Sequence, residues 1–170
     1  IAMGTHIVFE TAGAGTAGDN ISFNERLRID SNGMIGIGGV VPKTQNTFDA
    51  IEFGKTGFLG SQTGARTVEM ASNAYYNSGW KYKENDVASQ YYQYQGYHAF
   101  TSAVSGSADG AISFVERLRI TSGGKVNIGG DYTNTTSTLR VIGDSNAGSQ
   151  TFLEKNSGST NNTYNTSLTI

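Results

Sequence analysis

Cysteine is absent from the 170-residue chain, which excludes a disulfide framework, a thiolate metal site and a catalytic thiol. Proline occurs once, at Pro42. Charge is scarce: Asp, Glu, Lys and Arg make up 15% of residues, against roughly 25% in an ordinary globular domain. The net charge of −2 gives no bulk attraction to nucleic acid or anionic lipid. No apolar run approaches the roughly 18 residues of a membrane span, and no secretory leader pattern is visible. Neither nucleic acid nor membrane insertion is expected. Large aliphatic side chains are also few, because nine tyrosines contribute to a hydrophobic fraction of only 36%. Ser, Thr and Asn instead supply 50 residues and Gly another 23. Such a chain becomes ordered by packing thin β-layers or by sharing a core with copies of itself.

Catalytic signatures are equally thin. There is no G-x-S-x-G elbow and no H-E-x-x-H pair, and no His/Asp cluster has metal-ligand spacing. The only histidines, His6 and His98, fall at matching places in a repeat if one gap is allowed, which favours a structural role. Glu69, Glu84, Asp86 and Asp109 are the carboxylates available for a glycosidase pair. "GAGTAG" (13–18) fits the dinucleotide fingerprint, but that site needs a helix to begin at the glycines. The residues that follow alternate with period two and predict a strand, so no cofactor is expected. Sequons at Asn20, Asn134, Asn161 and Asn165 are what chance gives in so Asn- and Thr-rich a chain.

What the chain does contain is one pattern stated twice. "ISFNERLRIDSNGMIGIGG" (21–39) returns as "ISFVERLRITSGGKVNIGG" (112–130), with thirteen of nineteen positions identical at an offset of 91. At that offset "TFDAI" (47–51) falls on "TLRVI" (138–142). The unit is therefore about 91 residues, present once in full and once truncated, an array of modules. Residues 1–96 form the first module, with its hairpin motif at 21–39 and an aromatic β-module at 47–96. Residues 97–170 form the second, with the motif at 112–130 and a Ser/Thr/Asn-rich end at 143–170. The chain opens and closes in strand-like sequence, as expected of a fragment of something longer.

Within the motif, Ile21, Phe23, Leu27 and Ile29 alternate with Ser22, Asn24, Arg26 and Arg28, a strand pattern. "DSNG" and "TSGG" predict tight turns ending in a glycine at positive φ. Pro42 is expected to mark a break between sub-units. Glu25 and Glu116 fall on the apolar face of their strands. A β-bulge or a neighbouring arginine would accommodate them. The sharper alternative is an inter-chain ion pair that sets oligomer register, involving Glu25, Arg26 and Arg28 in one copy and Glu116, Arg117 and Arg119 in the other. Between the motifs, Tyr75, Tyr76, Trp80, Tyr82, Tyr91, Tyr92, Tyr94 and Tyr97 lie within 23 residues, among Asn, Gln and Lys. Exposed, these rings suit the C–H faces of sugars; buried, they supply the core that the aliphatics cannot.

The repeated E-R-L-R-I-x-S-x-G…I-G-G, with "AYYNSGWKY", "ASQYYQYQGYHAF" and "SADGAIS" between copies, resembles the repeat of bacteriophage tail-fibre proteins, particularly those of marine phages. The resemblance covers most of residues 1–142, and no catalytic residue comes with it. Such fibres often finish in a self-cleaving chaperone domain, which nothing here matches. The resemblance implies an elongated all-β fibre, an intertwined homotrimeric β-prism or β-helix with small β-modules. It would lie in the virion tail fibre, outside the cell, as spacer and as adhesin for a host-surface polysaccharide or protein receptor. A sparse supply of one or two apolar residues per strand is compatible with three chains sharing one axis. The rival readings are a tailspike-like polysaccharide-degrading enzyme and a bacterial trimeric surface adhesin.

Overall fold

The computed structural model describes residues 6–129 and the backbone of Leu139–Val141. The Ser/Thr/Asn-rich end at 143–170 and the end of the second motif at Gly130 lie outside the described residues. The protein is all-β, and no helix occurs among the described residues. Its strands are β1 (His6–Ala12), β2 (Phe23–Asp30), β3 (Ile35–Ile37), β4 (Phe48–Phe53), β5 (Gly57–Gln62), β6 (Thr67–Ser72), β7 (Ala74–Tyr76), β8 (Trp80–Tyr82), β9 (Asp86–Tyr94), β10 (Tyr97–Gly106), β11 (Val115–Ile120), β12 (Val126–Ile128) and β13 (Leu139–Val141). Eleven of them form one open sheet in the order β1-β2-β3-β4-β5-β6-β9-β10-β11-β12-β13, and β7–β8 is a separate hairpin. Neighbours are antiparallel except β3–β4 and β12–β13, which are parallel. The 96/97 junction falls in the turn between β9 and β10, whose flanking residues Tyr94 and Tyr97 pair directly.

The turns follow their local chemistry. Gly33 and Gly124 close the two motif turns at φ 80° and 77°. In the first, the Asp30 carboxylate accepts from Asn32 N and Met34 N at 2.8 and 2.9 Å. In the second, Thr121 Oγ1 takes over by accepting from Lys125 N at 3.1 Å. An acceptor on a short side chain is what the turn needs, so Asp and Thr exchange between copies. Gln95 and Gly96, at φ 48° and 82°, form the two-residue turn whose twist suits a hairpin.

Both motifs carry the same bulge. Phe9 pairs with Leu27 but Glu10 pairs with Glu25, leaving Arg26 as the extra residue; Phe100, Thr101, Leu118 and Glu116 repeat this around Arg117. Side chains three apart on a regular strand point to opposite faces. The inserted residue brings Glu25 and Arg28 onto one face, where Nη2 meets Oε2 at 2.6 Å, and does the same for Glu116 and Arg119 at 2.6 Å. The Arg28 hydrogen bonds hold the Glu25 carboxyl below its ordinary range. Bulged Arg26 and Arg117 turn to the hydroxyls of Thr11 and Ser102. Each glutamate is thus paired within its own chain.

The register corrects three sequence expectations. Ile7 pairs with Ile29 and His98 with Ile120, so the counterpart of His98 is Ile7, while His6, opposite Asp30, corresponds to Tyr97. The histidines do not match, because the offset holds without the gap. Next, Ile51 lies beside Ile35 but Leu139 lies beside Val126, so the fourth strand repeats at an offset of 88. Finally, the sheet continues across Pro42 through the parallel β3–β4 pair, and buried Pro42 sits in the crossover. It marks no break.

One face of the sheet is covered. Met34, Phe48, Ala50 and Phe58 form its buried cluster, roofed by Trp80 and Tyr76 of the β7–β8 hairpin. Trp80 packs against Phe48, Phe58, Tyr76 and Phe114 with ring centroids 5.5–5.9 Å apart. Burying such a ring is worth about 2–3 kcal/mol, which compensates for the small residues beneath the roof. Gly36 is fixed by crowding: a Cβ there would lie 1.9 Å from the Val40 carbonyl oxygen. Gly36→Ala is expected to lower stability by about 3 kcal/mol, because the β3–β4 crossover would have to move. Urea unfolding checks this.

Candidate functional site

The opposite face is open, and it carries a single feature across the ten strands from β1 to β12 in the sheet. Ile7, Ile29, Ile35, Ile51, Leu59, Met70, Tyr91, Phe100, Leu118 and Ile128 are each the direct cross-strand partner of the next. Direct partners project from the same face of a sheet. The result is an unbroken apolar row of roughly 43 Å, at roughly 4.8 Å per strand step. It is not covered by the chain: Ile7 is 53% exposed, Met70 52% and Phe100 41%. A groove of about 600 Å³ runs beside it, with Phe53, Gly57, Met70, Ser72, Tyr91 and Phe100 among its lining.

The row is narrow. Through the middle strands one flank is Gly57–Ser72–Ser89–Ser102, in register. The other carries Asp49 opposite Ser61, and Val68 opposite Gln93. Two sheets packed face to face bury two or three apolar residues per strand at a spacing of about 10 Å. Across β5–β10 a strip one residue wide, bordered by small or polar residues and Val68, does not offer that. Across β1–β4 a second line, Phe9–Leu27–Ile37–Phe53, lies beside it in register. The one-residue strip suits a line where several sheets converge.

Sequence pattern did not single out this row. A signal was present in "FDAIEF" and "TVEMAS", where Ile51, Phe53, Val68 and Met70 lie on the face opposite the buried Glu52 and Glu69. These strands have two apolar aspects, and only one belongs to the chain's own core.

The aromatic block divides among three places. Tyr75 and Tyr82 are buried, with hydroxyls donating to Asp109 Oδ1 at 2.7 Å and Val104 O at 2.5 Å. Burial and the Asp109 carboxylate push the Tyr75 hydroxyl up to about 12. Tyr76 and Trp80 form the roof of the core. These four were expected as sugar-stacking candidates; here they supply packing, because the covered face has few aliphatics. Tyr91 joins the open row, 4.7 Å from the Phe100 ring. Tyr92, Tyr94 and Tyr97 form a partly exposed trio, with Tyr97 edge-on to both others at 5.9 and 5.7 Å. The Arg119 guanidinium lies 4.3 Å from the Tyr97 ring centroid. This trio is the part of the block left partly exposed away from the core and the open row.

Beside the trio, the covered face holds a cavity of about 290 Å³ lined by Glu69, Trp80, Gln90, Tyr92, Thr101, Phe114 and Glu116. Glu69 Oε2 accepts a hydrogen bond from Gln90 Nε2, and Thr101 Oγ1 donates to Gln90 Oε1 at 3.3 Å. Burial raises the Glu69 carboxyl from 4.5 to about 7, against the opposing effect of Gln90. The folded state therefore holds a proton that the unfolded chain releases above pH 4.5, so stability falls as pH rises from about 4.5 to 7. Glu69→Gln is expected to flatten that part of the pH profile, measured as the melting temperature at pH 5 and pH 8. The other carboxylates lie elsewhere: Glu84 pairs with Lys55 at 3.3 Å, and Asp109 with Lys43 at 2.9 Å. Asp86 accepts from Val87 N. The carboxylate that shares the cavity with Glu69 is Glu116, which the sequence suggested only as a register residue.

"GAGTAG" lies in the β1–β2 connection, and a strand follows it. Among the described residues no three His, Asp or Glu side chains converge to hold a metal. No family model, characterised protein or solved structure matches the chain, so its function is argued from its own residues.

Proposed function

We propose that this chain is a structural segment of a viral tail fibre in which three copies share one axis. The apolar row faces that axis, and the hairpin-covered face points outward. The observation that carries the reading is the row itself: apolar in every sheet strand from β1 to β12, open to solvent and one residue wide through the middle strands. A strip on the order of 400 Å² matches the largest apolar patch of a typical monomer, which is often a functional surface. Three sheets inclined around an axis close such a strip, and the Gly57–Ser72–Ser89–Ser102 margin lets neighbours approach. The outward Tyr92, Tyr94 and Tyr97 trio would then be displayed three times on one particle. Weak contacts with a host-surface glycan gain avidity from that display. Light scattering tests the assembly: the expected mass is three times 18.0 kDa, about 54 kDa. A chain that stays monomeric would overturn it.

A second reading is favoured by the shared cavity of Glu69 and Glu116. A carboxyl that keeps its proton near neutral pH, beside a carboxylate paired with Arg119, is an arrangement for acid–base cleavage of a glycoside. Release of new reducing ends from host polysaccharide, lost in Glu69→Gln, would establish this reading in place of a spacer.

A further inference from the structure

We propose that the outer edge of β1 is a docking site for one kind of partner, a β9-type strand ending a preceding copy of the repeat unit, so that the sheet runs unbroken from unit to unit. The inference stands on the internal repeat and not on the trimer. β1 and β10 are the same element used twice. They share the bulge after the phenylalanine, at Phe9/Glu10 and Phe100/Thr101. They share the arginine–hydroxyl bond, Arg26 to Thr11 and Arg117 to Ser102. They border matching Glu–Arg pairs on the next strand. In the second copy the far side of β10 is filled by β9, with Ala99 opposite Tyr92, Phe100 opposite Tyr91 and Thr101 opposite Gln90. In the first copy the same side of β1 has no neighbouring strand among the described residues.

The edge is presented ready for pairing. Asp30 N donates to Met34 O, so Asp30 and Arg28 turn their main-chain groups toward β3, and Ile29 and Leu27 turn theirs toward β1. Their partners Ile7 and Phe9 therefore face inward, leaving the amides and carbonyls of Val8 and Glu10 directed to the open edge. Exposed strand edges are normally blunted by proline, lysine or a covering loop, and "HIVFETA" contains neither residue. Phe9 also lacks its cover. Its counterpart Phe100 has the Tyr91 ring at 4.7 Å and is 41% exposed, whereas Phe9 is 58% exposed. An incoming strand of β9 type would set the equivalent of Tyr91 beside Phe9, lengthening the line Phe9–Leu27–Ile37–Phe53, and the equivalent of Gln93 beside Ile7.

The test replaces residues 1–5 with the chain's own residues 84–96, joined directly to His6, and follows amide hydrogen exchange. In the extended chain, Val8 and Glu10 amides are expected to exchange at least about 100-fold more slowly than in the original chain. Ile7 and Phe9 amides should be equally slow in both. Val8→Pro in the extended chain removes one outward donor without touching an inward one, and should return Glu10 to its original rate. Unchanged exchange on extension, slow exchange at Val8 and Glu10 in the original chain, or Glu10 protection that survives Val8→Pro would each overturn the proposal.

Discussion

Met70→Glu is expected to turn a three-chain particle into a monomer whose β-sheet circular dichroism is unchanged. In the single chain Met70 is half exposed at the middle of the open row, and a surface substitution of this kind alters stability by no more than about 0.5 kcal/mol. In the assembly the same position would face the axis, and three carboxylates would be brought together without cations to pair them. Burying an unpaired charge costs on the order of 3–5 kcal/mol per chain, enough to weaken association by more than 10⁴-fold. Light scattering of the variant beside Thr63→Glu, a change in the exposed β5–β6 turn, separates this effect from a general rise in negative charge. A Met70→Glu chain that still runs as a trimer would mean that the row does not face the axis.

The second large effect concerns the buried ion pair. Glu52 and Lys83 have side chains 1% and 5% exposed, with Lys83 Nζ 2.9 Å from Glu52 Oε2. Gln45 Nε2 donates to Glu52 Oε1 at 2.8 Å, and Lys83 Nζ donates to Gly57 O at 3.0 Å. Together they tie the end of the hairpin to β4 and β5. Burial lowers the Lys83 pKa, and Glu52 opposes that shift. Lys83→Met is expected to cost about 3–5 kcal/mol at pH 7, because it leaves a carboxylate buried without its cation. The deficit should shrink as pH falls toward about 4, where the unfolded-state advantage of an ionised glutamate disappears. Adding Glu52→Gln should recover at least half of the loss, since glutamine still accepts from Gln45 and carries no charge. Urea titrations of the three variants at pH 7 and pH 4 read this directly. A Lys83→Met deficit that is the same at both pH values would place the cost in packing instead.

Short-range features were legible in the sequence. The alternation of Leu27 and Ile29 with Arg26 and Arg28 signalled a strand, and Gly33 and Gly124 signalled the turns, because neighbouring residues decide both. The bulge at Arg26 was legible as one solution for an acid among apolar residues, though its consequence, an ion pair three residues apart, needed the cross-strand register. The open row was not legible. Its ten members come from ten strands, and what unites them is the stacking order of the sheet. Tyr75 and Tyr82 were open to either a core or a binding face for a similar reason: composition cannot tell a ring that lines a core from one that lines a cleft. Glu116 joined the cavity with Glu69 only because β6, β9, β10 and β11 lie side by side.

The sheet order also relates one repeat to the next. From β1 to β10 the chain uses 91 residues but takes only seven strand steps, since β7 and β8 stand outside the sheet; that is about 34 Å at roughly 4.8 Å per step. Across those steps the row that starts at Ile7 arrives at Phe100, the counterpart of Phe9, a sideways displacement of two residues or about 7 Å. Successive units are therefore offset along the strands as well as across them, so that the row is slanted to the direction in which the strands stack. In a fibre of such units the number of strands would set the length, the slant of the row would set the winding, and residues added in the 73–85 excursion would change neither.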